Sequence, residues 1–127
     1  MKYGEFIAAV CDRGDYLSVD EADHVTRTVL HQLGNRLGAH APHFAAQLPK
    51  ELQEPVLRQP NVPYPHGIHS FLHTLSSQLH ATHQTARWDA SAVLSTTADA
   101  VSGGELNQVL SQLPAAYAPL FGKADLA

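Results

Sequence analysis

With 127 residues and 44% apolar content, the chain is long enough to bury one core without disulfides or a structural metal. Eight Lys+Arg against twelve Asp+Glu give a formal net charge of −4, which offers no basic footprint for a phosphate backbone and excludes nucleic acid as the expected partner. Cys11 is the single cysteine, so no intrachain disulfide can form, and with no secretory leader and no run approaching about eighteen apolar residues the expected setting is cytoplasmic and membrane-free.

The apolar positions recur at helical spacing from the start. Phe6, Ile7 and Val10 define a first helix, and Ala22, Val25, Val29, Leu33 and Leu37 a longer second one. Ser18-Val19-Asp20-Glu21 has the form of a capping box, which places the start of that second helix near Val19. Gly38 stands where a left-handed residue closes a helix, and Gly34 should weaken the last turn. Pro42 suits the first turn of a third, short helix carrying Phe44, Ala45 and Leu48. Pro49 then turns the chain into a further short helix with Leu52 and Val56, which is expected to bend or stop at Pro55. Pro60, Pro63, Pro65 and Gly67 mark an extended connector.

Beyond the connector the pattern starts again. Ile68, Phe71, Leu72, Leu75 and Leu79 form one stripe, and Ala86, Ala90, Val93, Leu94 and Val101 outline a long helix. Gly103-Gly104 reads as a break before a helix carrying Leu106, Val109, Leu110 and Leu113. Phe71-Leu72 follows Phe6-Ile7 by 65 positions (71 − 6), and Gln112-Leu113-Pro114 follows Gln47-Leu48-Pro49 by the same 65 (112 − 47). Tyr117 and Phe121 answer Leu52 and Val56. The expectation is an all-α fold, a two-fold duplicated bundle of about eight helices, four per copy. Repeat 1 covers about residues 1–58 and repeat 2 about 67–123, joined by a Pro-rich linker at 59–66 and packed as one domain.

Several of these segments carry a resemblance. Glu5-Phe6-Ile7, Thr28-Val29-Leu30, Ala46 through Leu52, Phe71-Leu72, Ala92-Val93-Leu94, Gly104-Glu105-Leu106 and Ser111 through Tyr117 together resemble the bacterial DUF2267 family over nearly the whole chain. That resemblance implies a duplicated helical protein and brings no catalytic residue, cofactor or partner with it.

Nine histidines are the compositional anomaly. His66, His69 and His73 lie three and four apart, so His69 and His73 share a helix face at a spacing that chelates zinc or nickel, with His66 as a third donor. The competing reading is a histidine-rich solvent face, and it is favoured because no fourth partner has an obvious spacing. Asp20, His24 and His31 could orient an imidazole as a base, but such pairs are common helix decoration. Cys11 beside Asp12 and Arg13 reads as an inert thiol, and Trp88 as a packing anchor. If several histidines are paired or buried as neutral rings, acidification towards pH 5 should loosen the fold or change its association.

The function expected first is therefore a non-enzymatic helical protein-interaction module, with self-association included and no cofactor required. The alternative is a small-molecule or metal-responsive binding protein using the histidines near the linker. An enzyme ranks last, because no nucleophile or convergent polar set is visible.

Overall fold

The computed structural model describes residues 1–58 and 67–123; the predicted linker at 59–66, and His66 with it, lies outside the described residues. The described chain is all-helical. Seven α-helices run α1 Tyr3–Gly14, α2 Val19–Leu37, α3 Ala41–Ala45, α4 Gln53–Leu57, α5 Ile68–Leu79, α6 His83–Ala100 and α7 Gly103–Ser111, with 3-10 segments at Gly38–His40, Lys50–Leu52 and Ala115–Phe121. The eighth helix expected from the sequence is the seven-residue 3-10 segment, where Pro119 inside the turn removes the N–H that an α-helix would use. No described helix is long and apolar enough to cross a membrane.

Most boundaries follow from the residues that set them. Ser18 accepts the Glu21 N–H at 3.1 Å, which starts α2 at Val19. Gly38 leaves α2 with φ +55°, and Pro42 occupies the first turn of α3. Two expectations are corrected. The break between α6 and α7 falls at Val101-Ser102, not at the glycines: Ser102 accepts the Glu105 N–H at 3.1 Å, and Gly103-Gly104 become the first turn of α7. Pro55 does not end its helix either, because it is the third residue of a short α4, where its missing N–H falls in the first turn.

A four-helix centre is formed by α1, α2, α5 and α6. Helix α1 packs on α6 and α5 on α2, the members of each sequential pair pack together, and α2 also meets α6. Helix α4 closes against α2, as the 3-10 segment Ala115–Phe121 closes against α6. One continuous cluster of buried side chains takes Phe6, Val29, Phe44 and Leu52 from the first half and Phe71, Val93, Tyr117 and Phe121 from the second. Each such side chain contributes about 1.5–3 kcal/mol by leaving water. Arg36 is buried among them. It donates to the Gln32 main-chain and side-chain oxygens at 3.0 and 2.9 Å, and its guanidinium carbon stands 5.1 Å from the centre of the Phe71 ring. Burial pushes the neighbouring Tyr117 phenol up to about 12, with the Arg36 charge opposing.

Thr96 and Thr97 are buried polar residues of α6 whose hydroxyls donate to the Ala92 and Val93 carbonyls at 2.9 and 2.8 Å. Those bonds satisfy the hydroxyls locally, so two threonines fit a core position without partners from another helix.

Candidate functional site

Glu105 is the third residue of α7, the position from which a glutamate ordinarily reaches back to the N–H of the capping serine. Here that N–H is taken. Gln47, just past α3, accepts the Ser102 N–H on Oε1 at 2.8 Å, which staples the α3 corner to the start of α7. The Glu105 carboxylate is released to face the first half of the chain, where both its oxygens meet imidazoles. His40 Nε2 donates to Oε1, and His43 Nδ1 donates to Oε2 at 2.6 Å. The two rings stand 5.1 Å apart, tilted by 35°. His40 ends the 3-10 turn after α2, and His43 is three residues on in α3, so one short corner aims both at one carboxylate.

The burial is graded. The Glu105 side chain is 0% exposed, that of His40 is 17% exposed and that of His43 is 67% exposed, so the group is closed at the carboxylate and open at His43. The start of a helix favours a carboxylate, since the unpaired N–H groups carry partial positive charge. One ligand atom from each of the three residues can be chosen so that all lie within 4.8 Å of one another, and among the described residues this is the group of three His, Cys, Asp or Glu that could hold a metal ion. Two imidazoles and one carboxylate are a donor set suited to zinc or nickel, and three protein ligands leave a position for water or another ligand.

The histidines singled out in the sequence are placed differently. His69 and His73 both lie exposed on α5, and the His73 ring meets that of His83, with Nδ1 and Nε2 3.4 Å apart. Asp20 and His24 are both exposed and share no bond among the described residues, while His31 Nδ1 meets the Pro55 carbonyl at 3.0 Å. None of the eight described histidines is buried, while His40 and His43 are paired with the Glu105 carboxylate. The Cys11 thiol is partly buried and donates to the Tyr16 carbonyl at 3.3 Å. Trp88 is not a core anchor: it is 56% exposed, and its indole N–H donates to the Gly14 carbonyl at 3.0 Å.

A second polar centre lies at the other end of the long helices. Asp89 on α6 is 5% exposed, and its Oδ1 accepts the Tyr16 hydroxyl at 2.6 Å. Burial raises the Asp89 carboxyl above its ordinary range, the Tyr16 bond opposes this, and the Glu21 charge adds to it. The Tyr16 phenol is itself pushed far up by burial and by the bond to Asp89. The folded state thus holds a proton on Asp89 more tightly than the unfolded chain does. The carboxylate's contribution therefore favours folding as pH falls through its raised native value towards the ordinary one, and opposes folding above that window. Asp89→Asn is expected to leave the melting temperature unchanged or raise it by a few degrees at pH 7.5, and to lose that advantage near pH 4; a fall of several degrees at pH 7.5 would contradict the sign.

The fold and these two centres define a small helical protein with a histidine–carboxylate group on the seam between its halves. The family model described as "Uncharacterized conserved protein (DUF2267)" matches residues 3–120, and the chain belongs to that family. No curated protein matches the chain.

Proposed function

We propose that the protein is a non-enzymatic helical module, built from two copies of one unit, that takes a divalent transition-metal ion between His40, His43 and Glu105. The observation that carries this reading is the Glu105 carboxylate, wholly buried and shared by two imidazoles from the other half of the chain. Gln47 takes the serine N–H that a capping glutamate ordinarily bonds, which leaves both Glu105 oxygens to the imidazoles.

The duplication is supported by the spacing of the elements. Helix α5 begins 65 residues after α1 (68 − 3) and ends 65 after it (79 − 14), and both close on a left-handed residue, Asp15 and His80. Pro49 and Pro114, also 65 apart (114 − 49), precede 3-10 turns with nearly the same backbone angles. His40 and Glu105 are separated by 65 as well, the offset of the corner prolines that follow them, which supports reading them as equivalent positions of the two copies. In a two-fold arrangement equivalent positions touch only beside the axis, so on this reading the candidate ion lies on the seam. One copy supplies imidazoles and the other a carboxylate, so ion binding couples the two halves.

Native mass spectrometry of untagged protein purified without metal-affinity resin, titrated with zinc and nickel, tests this. The wild-type chain should hold one ion, His40→Ala and His43→Ala should each weaken it by about tenfold or more, and His69→Ala/His73→Ala should keep it. No bound ion, or loss of the ion in the His69/His73 variant alone, would overturn the assignment.

A further inference from the structure

The cleft around Asp89 carries an inference independent of the metal reading. It has a volume of about 490 Å³ and opens between the turn joining α1 to α2 and the turn joining α5 to α6. The cleft is lined by the first turns of α2, and the histidine–carboxylate group lies beyond the other end of that 19-residue helix. We propose that the cleft binds a small organic cation, an ammonium or guanidinium group on a short apolar stem, with Asp89 as its counter-charge and Tyr16 and Trp88 as its aromatic walls.

Among the described residues no lysine, arginine or histidine pairs with Asp89, and its hydrogen-bond partner is a neutral phenol. A carboxylate so nearly buried costs several kcal/mol unless a cation answers it. Asp15 and Glu21 line the same cleft, so an anionic ligand would be repelled, and a wholly apolar one would leave Asp89 unanswered.

Gly14 holds both rings in place. A Cβ there would fall 2.1 Å from Tyr16 Cε2, so only glycine lets the phenol lie against the backbone, and the Gly14 carbonyl receives the indole N–H of Trp88. Two aromatic rings fixed beside a desolvated carboxylate are the recurring means of holding an ammonium group. The volume lies within the range of small-molecule sites and is too small for a folded partner, which commits the proposal to a free amine.

Trp88 is the single tryptophan, so its indole N–H gives one isolated NMR signal in the wall of the cleft. Agmatine and cadaverine titrated into the full chain at pH 8 should shift that signal saturably, and valerate, of similar length and opposite charge, should not. Asp89→Asn, which keeps the shape and removes the charge, should weaken the amine response by about tenfold or more. Glu21→Gln, on the exposed rim, should weaken it by a smaller factor, about two- to threefold, with no risk to folding. An unshifted indole at tens of millimolar amine, an equal response to valerate, or unchanged affinity in Asp89→Asn would each overturn the proposal. If only a lysine-bearing peptide shifted the signal while free amines did not, the free-amine source would be wrong.

Discussion

Glu105→Gln should abolish metal binding and lower folding stability by about 2–4 kcal/mol. Both effects have one cause. The carboxylate accepts from two imidazoles, each a hydrogen bond to a charged group worth about 1.5–3 kcal/mol, and a glutamine offers one oxygen and an N–H₂ group in their place. The N–H₂ group would face one of the two rings from a fully buried position, where it must find an acceptor or remain unsatisfied. The loss should also fall on the seam rather than on either half, since His40 and His43 belong to the first half and Glu105 to the second. Urea unfolding checks the stability, and zinc calorimetry on the same variant checks the binding. A variant as stable as wild type that still bound zinc would show that the carboxylate is a bystander.

Gly34→Ala should destabilise the protein by about 2–3 kcal/mol, although alanine in a helix interior is ordinarily better than glycine by about 1 kcal/mol. The reason is the approach of α4. A Cβ at Gly34 would fall 2.4 Å from the Val56 carbonyl oxygen and 3.0 Å from its Cα, and those are backbone atoms that cannot rotate away. Helix α4 would have to lift from α2, opening contacts around buried Val56 and Leu52. The denaturant midpoint should therefore fall at unchanged slope. A rise in the midpoint would mean that propensity outweighs the close approach and that α4 is seated further out.

Gly34 illustrates what the sequence could and could not convey. Its presence in α2 is legible as a local weakness, but the benefit lies in a residue 22 positions away (56 − 34), which no periodicity reveals. Local chemistry was readable wherever a short-range signal settled the matter: Ser18 started α2, Gly38 ended it, and Pro42 opened α3. It misled where two local signals competed, as at Ser102 and Gly103-Gly104, where a serine cap prevailed over glycine as a breaker. Residue type was less decisive at Trp88: size and aromaticity argue for a core or interface anchor, and the ring stands 56% exposed with its indole N–H on the Gly14 carbonyl.

The candidate site was hidden more deeply. Local spacing singles out His69 and His73 on one helix face with His66 before it, whereas the group that converges among the described residues joins His40 and His43 to a glutamate in the other half. One signal for it was present. The 65-residue offset that relates Phe6 to Phe71 also relates His40 to Glu105, a histidine and a carboxylate at the same spacing. The position of Asp89 was legible, since it falls three residues after Ala86 and four before Val93 on the buried stripe of α6, but its Tyr16 partner 73 residues away was not.

Anomalous scattering from crystals grown with one equivalent of zinc would locate an ion on the seam. A single peak is expected, bonded to His40 Nε2, His43 Nδ1 and the Glu105 carboxylate at about 2.0–2.2 Å from each. A crystal with that carboxylate still bonded to the two imidazoles, and zinc either absent or seated on the exposed His69 and His73, would contradict it.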